Sequence, residues 1–125
     1  ILGEFSSRAI FIEHLPHNAL YPIIERSKFV VLPSLWENFP YACLEAMALG
    51  KTVIATSGGG FSEIIDDGVD GILFPPRDSK MLSQAVLNCL NGVDLKQIGA
   101  NAIKKTMKYE TEKIALQMIE LYKSL

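Results

Sequence analysis

The apolar positions along this chain change period several times, and each change marks an element. Ala9-Ile10-Phe11-Ile12 is an unbroken β-branched and aromatic run of the kind a buried strand carries. From 16 to 26, Leu20, Ile23 and Ile24 recur at helical spacing. Phe29-Val30-Val31-Leu32 is a second strand-like run, closed by Pro33-Ser34, and the Ala-, Leu- and Met-rich stretch 41 to 49 predicts a helix stopped by Gly50. Thr52-Val53-Ile54-Ala55 predicts a third strand. A short helix through Glu63, Ile64 and Ile65 follows, then Gly71-Ile72-Leu73-Phe74 as a fourth strand ended by Pro75-Pro76.

The strand runs are continuous rather than alternating, so both of their faces are covered. That predicts an α/β fold, a Rossmann-like parallel sheet flanked by helices, with right-handed crossovers placing consecutive strands side by side. Beyond Pro76 the pattern turns all-helical. Asp78 or Ser79 caps a helix running to about 90, with Leu82, Ala85, Val86, Cys89 and Leu90 facing inward, and Asn91-Gly92 ends it. Further helices are expected over 95–107 and 111–125, the last burying Ile114, Met118, Leu121 and Tyr122. Residues 1–125 read as a single domain. Ligands of open α/β sheets bind beyond the carboxyl ends of the strands, which directs attention to the loops at 13–16, 33–40 and 56–60.

Composition narrows the classes. Fourteen Asp+Glu against 12 Lys+Arg give a formal charge of −2, which excludes a broad electrostatic footprint for nucleic acid. With 49% hydrophobic residues, 125 residues suffice for one core without disulfide or metal support. Cys43 and Cys89 lie in apolar helical stretches and read as reduced, buried thiols, in keeping with a cytosolic protein. The basic cluster Lys104, Lys105 and Lys108 reads as a solvated helix face in preference to a phosphate or membrane patch. No apolar run is long enough to cross a bilayer. The chain opens Ile1-Leu2-Gly3 without Met, and is therefore expected to be a piece of something longer.

The stretch from 35 to 47 holds the chain's one Trp, with Phe39 and Tyr41, around Glu37 and Glu45 eight positions apart. Pro40 suits a first helical turn, so amides near 38 to 42 would face a cleft and favour an anion. Glu45, between Leu44 and Ala46, needs hydrogen-bond partners, and a vicinal diol offers two donors without a competing charge. From the residues alone, an ordinary surface Glu45 and a loop-solubilising Glu37 stand equally open. Trp36 and Met47 read as packing, Phe39 as facing the loop's ligand. His14 and His17 lack a third ligand at metal spacing. Ser34 and Ser57 lack a histidine relay. Gly58-Gly59-Gly60 lacks the Lys-Ser/Thr of a phosphate loop, so its glycines are read as serving close backbone approach and positive φ.

Pro33-Ser34-Leu35-Trp36-Glu37, with Phe39 and Leu44-Glu45-Ala46-Met47-Ala48-Leu49-Gly50-Lys51, closely resembles the E-x7-E segment of family-4 glycosyltransferases, which are retaining, nucleotide-sugar-dependent enzymes of the GT-B fold. Gly59-Gly60-Phe61-Ser62-Glu63-Ile64-Ile65 resembles that family's G-G-x-P-E-I-I turn, and the segment from Asp67-Gly68 to Pro75-Pro76 its D-G-x-x-G-x-L-x-P-P segment. The resemblance implies the donor-binding part of the C-terminal domain of a hexosyltransferase that serves polysaccharide, lipopolysaccharide or glycolipid synthesis. It implies that Glu37 is catalytic beside the donor sugar, and that Asn38, Phe39 and Pro40 contact the sugar through their backbones. Tyr41 and Ala42 would cradle the diphosphate, Glu45 would take the ribose, and His14 and Leu15 would lie near the base.

No metal or other cofactor is implied. The partners implied are a nucleotide-sugar donor and, on a separate N-terminal domain, a saccharide or lipid acceptor. The place implied is the cytoplasm, with peripheral association at the inner face of the membrane open to the full-length protein. Departures are Asn38 and Pro40 where the family often has glycine, and Ser62 for proline, a change that would let Ser62 cap the next helix. The family's Arg and Lys diphosphate clamp would lie upstream, so the fragment alone is expected to be inactive. The rival readings are a non-catalytic nucleotide or nucleotide-sugar binding module and a receiver- or flavodoxin-like domain; Glu13-His14 supports the latter poorly.

Overall fold

The computed structural model describes residues 8–110, 113 and 118–121. Three parallel strands, β1 (Phe29–Leu32), β2 (Thr52–Thr56) and β3 (Ile72–Phe74), lie in the order β1-β2-β3. Val30 is paired with Val53 and Ile54 with Ile72. Around them run α1 (His17–Arg26), α2 (Tyr41–Ala48), α3 (Gly60–Ile64), α4 (Ser79–Asn91) and α5 (Leu95–Thr106), the last continuing into a 3₁₀ turn at Met107–Tyr109. The architecture is the expected α/β one.

Alternation along each strand divides the core into two layers, as the pleat requires. Val53 and Ala55 face α2, α3 and α5, where Cys43, Ala46, Met47, Phe61, Ile64 and Ala102 are buried. Ile54 and Phe74 face α4 through Ala85 and Cys89. All five β2 residues are buried, so the central strand is covered on both faces.

Four expectations are corrected. Ala9 to Ile12 form no strand, and Ile10, Phe11 and Ile12 are 89%, 75% and 52% exposed. A strand exists by its ladder, and the only partner β1 has among the described residues is β2. Leu90 is exposed instead of facing inward, because Ala85 and Cys89 already occupy the inner stripe of α4. Ser62 is inside α3 and caps nothing, since Gly59 precedes the first helical residue. Lys105 is no part of a solvated face: its side chain is only 11% exposed. The helix expected over 111–125 falls largely outside the described residues; 113 and 118–121 within it are helical.

Helix ends follow local chemistry. Asp78 caps α4 by accepting from the Lys80 and Met81 amides, and Asp94 caps α5 by accepting from those of Lys96 and Gln97. Lys51 donates to the Glu25 carbonyl at 2.6 Å and the Ser27 carbonyl at 3.1 Å, placing a cation where the carbonyls of α1 converge. Where α2 meets α5, Gly99 lies so close to Gly50 that a Cβ there would run into the Gly50 carbonyl.

The turn from Asp67 to Gly71 is held by its own polar groups and by α5. Gly68 takes φ +74°, the Asp67 carboxylate accepts from the Leu73 amide at 2.8 Å, and Asn101 donates to the Val69 carbonyl at 2.8 Å. Lys105 pairs with Asp66 at 2.7 Å and with buried Asp70 at 3.0 Å, while Asp70 also accepts from the Asp66 amide. The Lys105 hydrogen bond holds the Asp66 carboxyl below its ordinary value. Burial by itself would lower Lys105, but its two carboxylates outweigh burial and raise it.

Both shifts favour the pair between the carboxylate and ammonium ranges. The Asp66 contribution is present above the ordinary carboxylate value and is lost as pH falls through its lowered one; that of Lys105 is lost as pH rises through its raised value. Lys105→Ala strands the buried Asp70 charge and is expected to cost about 2–3 kcal/mol at neutral pH. Lys104→Ala is expected to cost about 0.5 kcal/mol or less. Urea unfolding of both variants from pH 7 down through the carboxylate range checks this, with the gap between them narrowing as the pH falls through the lowered Asp66 value.

Candidate functional site

The loop joining β1 to α2 carries most of the chemistry-bearing residues, and its shape is set by the glycine turn after β2. The Gly60 amide donates to the Glu37 carbonyl at 2.7 Å. A Cβ on Gly59 would meet that carbonyl, and one on Gly60 the Asn38 carbonyl and the Pro40 ring. A Cβ on Gly58 would stand 2.9 Å from the Leu35 carbonyl. Gly59 takes φ +56° with ψ −140°, a region only glycine occupies freely. Close approach therefore accounts for all three glycines and positive φ for one. Thr56 donates its hydroxyl to the Ser34 carbonyl at 2.5 Å, and the Ser57 amide donates to the Phe74 carbonyl at 2.7 Å, so both loops are tied to the sheet ends.

Pro40 is buried and sits immediately before α2, not within its first turn. Its carbonyl accepts from the Cys43 and Leu44 amides, and the Tyr41 amide turns back to the Phe39 carbonyl at 3.0 Å. Of the two amides the resemblance assigns to the diphosphate, that of Tyr41 is thus occupied, while that of Ala42 has no acceptor among the described residues. Trp36 is 69% exposed with its indole edge over Gly59, so it covers the glycine turn instead of packing in the core. Met47 is fully buried and is packing.

Phe39, Tyr41 and Glu45 line one cleft of about 520 Å³ between the outer face of α2 and the end of α5, with Leu44, Ile103 and Tyr109 among its walls. Phe39 stacks edge-on with Tyr41 at 5.1 Å and with Tyr109 at 6.1 Å. Glu45 is half-buried on α2. Glu37, half-buried, and exposed Asn38 lie in the glycine-held loop outside that cleft. His14 is exposed and Leu15 half-buried in the segment leading into α1, and neither lines the cleft.

Sequence reasoning missed Tyr21. Its phenol is raised above the ordinary value, first by partial desolvation and then by the nearby charge of Glu45. The signal was present as a helical aromatic, but the α1–α2 juxtaposition that gives it meaning is tertiary. Among the described residues no group of three His, Cys, Asp or Glu could hold a metal ion. Burial pushes the Cys43 thiol up to about 12, with the Asp70 charge adding to it, and burial raises Cys89 as well. Both are structural thiols.

The profile of the family described as Glycosyl transferases group 1 matches residues 4–106, and the chain belongs to that family. Sucrose-phosphate synthase of Thermosynechococcus elongatus is similar in structure, with a TM-score of 0.87 and 30% identity over 98% of this chain and 32% of its own. HepE of Anabaena, solved in complex with UDP-glucose, gives a TM-score of 0.74 and 28% identity over 82% of this chain and 29% of its own. A third likeness is the C-terminal domain of a group 1 family glycosyl transferase from Francisella tularensis, with a TM-score of 0.70 and 30% identity over 82% of this chain and 53% of that one. The chain spans under a third of the curated relatives it matches first.

Two outcomes are expected. Gly60→Ala pushes the 35–40 loop off its seat and destabilises the fold by about 2 kcal/mol or more; urea unfolding with amide NMR shifts read at 35 to 40 checks both. Cys43 and Cys89 resist a thiol reagent at pH 8 in the folded chain and react at once in denaturant. Because the folded Cys43 keeps its proton where the unfolded thiol has lost it, stability falls as pH rises above about 9.

Proposed function

We propose that this chain forms the donor-binding part of a retaining hexosyltransferase that moves a sugar from a nucleoside diphosphate to a hydroxyl acceptor of a polysaccharide, lipopolysaccharide or glycolipid. The observation that carries it is a single segment, 37 to 45, which presents a carboxylate on a backbone-locked loop, an open amide at a helix N-terminus and a half-buried second carboxylate on that helix. A nucleotide sugar has the matching groups in the matching order: sugar hydroxyls, diphosphate, ribose diol.

In this reading Glu37 stands beside the donor sugar, held there by the Gly60 amide on its carbonyl. Asn38 and Phe39 offer carbonyls, the groups a sugar's hydroxyls donate to, while the Pro40 carbonyl is already taken by the Cys43 and Leu44 amides and contributes through the shape of the loop. The helix N-terminus at Tyr41 and Ala42 faces the diphosphate and stabilises the charge that grows on it as the glycosidic bond breaks. The contribution falls mainly to Ala42, since the Tyr41 amide is occupied. Glu45 accepts from both ribose hydroxyls, and the backbone near His14 and Leu15 meets the base. The reaction runs without a metal, and the acceptor is held by a separate N-terminal domain.

Support comes from the family membership, from the UDP-glucose that HepE was solved with, and from the C-terminal position of the Francisella domain. No helix among the described residues is long and apolar enough to cross a membrane. Work in the cytoplasm, at the inner membrane face where the acceptor is a lipid, fits the proposal.

The test is an NMR titration of the chain, and of the complete gene product containing it, with UDP, GDP, ADP and their hexose conjugates. The expected result is a perturbation of amides at 13–16 and 37–46 by one base, weakened at least tenfold in Glu45→Ala. No perturbation of the complete gene product by any of them would overturn the donor reading.

A further inference from the structure

The segment 34–38 is held through its backbone and carries three successive side chains that the fold does not use. The Ser34 carbonyl accepts from the Thr56 hydroxyl and the Glu37 carbonyl from the Gly60 amide, while the Leu35 and Asn38 carbonyls lie against Gly58 and Gly60. The three side chains are those of Trp36, Glu37 and Asn38. They belong to neither core layer, and among the described residues none of them makes a hydrogen bond or an ion pair. The indole of Trp36 nevertheless has a seat. Its Cδ1 and Nε1 atoms each stand 3.1 Å from the point a Cβ on Gly59 would occupy, so one edge of the ring rests on bare backbone. With 69% of the residue exposed, the remainder of the ring lies in solvent, on the loop that also carries Glu37.

We propose that Trp36 is a stacking platform for the hexose of the nucleotide-sugar donor. The inference rests on the donor reading given above and adds to it the residue that meets the flat face of the sugar ring. A hexopyranose has two kinds of surface, a rim of hydroxyls and faces on which C–H groups gather. The rim needs hydrogen-bonding groups, which the Glu37 carboxylate and the Asn38 amide supply. The face needs a broad, flat, apolar partner, and an indole is that partner, with a negative π surface toward which the polarised C–H hydrogens are drawn. Because its edge already rests on Gly59, the ring loses less freedom when a sugar settles on it than an unsupported side chain would. Charge points the same way. The carboxylate next to the indole in the chain favours the hydroxyl end of a donor over its phosphates, which the N-terminus of α2 suits better.

The experiment measures the dissociation constants of UDP, GDP and ADP and of their hexose conjugates for the complete gene product, as wild type, Trp36→Leu and Trp36→Phe. Trp36→Leu keeps apolar bulk without a flat face, and is expected to weaken the preferred conjugate about 5- to 10-fold while leaving the bare nucleotide within about twofold. Trp36→Phe, which restores a ring, recovers most of that loss. If Trp36→Leu weakens nucleotide and conjugate equally, or neither, the platform is overturned and the donor site stands. If neither nucleotides nor conjugates bind the wild type, the donor reading fails and this inference fails with it. Fluorine NMR of the wild type grown on fluorotryptophan decides the matter without a variant's stability, the Trp36 signal being the one absent from Trp36→Phe. That signal is expected to be solvent-sensitive in the free protein and to shift with the conjugate but not with the bare nucleotide. A Trp36 signal already shielded from solvent in the free protein means that another part of the protein covers the indole, and overturns the proposal.

Discussion

The contact between two stretches of backbone, 35–38 after β1 and 58–60 after β2, is the constraint on which the site depends. The strands deliver both loops to one end of the sheet, but a parallel sheet leaves its loops several ångströms apart unless something draws them together. Here the drawing together is done mainly by backbone, with the Thr56 hydroxyl on the Ser34 carbonyl as the one side-chain tie described. Three successive glycines allow the Leu35, Glu37 and Asn38 carbonyls to come within a distance that any Cβ would prevent, and a 2.7 Å hydrogen bond from Gly60 to Glu37 closes the contact. The backbone that carries Glu37 is thereby fixed against the sheet, even though the loop is at the surface and its Trp36 and Phe39 side chains are partly in solvent.

A second constraint acts on the far side of α2. The helix is short, and its inner face is committed to the core through Cys43, Ala46 and Met47. Its outer face is left to chemistry, and the neighbours on either side decide what that face can do. On one side α1 brings Tyr21 to Glu45. On the other, the end of α5 forms the wall of a cleft with Ile103 and Tyr109. The Gly50–Gly99 approach sets how near that wall comes, and the ion pairs of Lys105 with Asp66 and Asp70 fix α5 to the Asp67–Gly71 turn.

Much of this was legible in the sequence, and the reasons are local. β-branched runs at 29–32 and 52–55 read as buried strands because both their faces are covered, and the caps at Asp78 and Gly92 read correctly because capping is decided within a few residues. Ala9 to Ile12 carry the same kind of run and form no strand, since pairing is a property of the neighbour and not of the run itself. Lys105 looked like one of three surface lysines. What distinguishes it is Asp70, thirty-five positions away in the chain, and no local pattern links the two. Glu45 was legible as a carboxylate in an apolar helix, while Tyr21, whose phenol its charge raises, belongs to another helix.

The outer edge of β1 has a wider consequence. Among the described residues β1 is bonded on one side only, so a row of amides and carbonyls along Phe29–Leu32 faces outward, and α1 separates it in the chain from the exposed apolar Ile10, Phe11 and Ile12. An open edge is a template for any extended segment, including one from a second copy of the chain. For the isolated chain this makes self-association a property of its backbone: how well that edge is shielded counts alongside the modest net charge of −2.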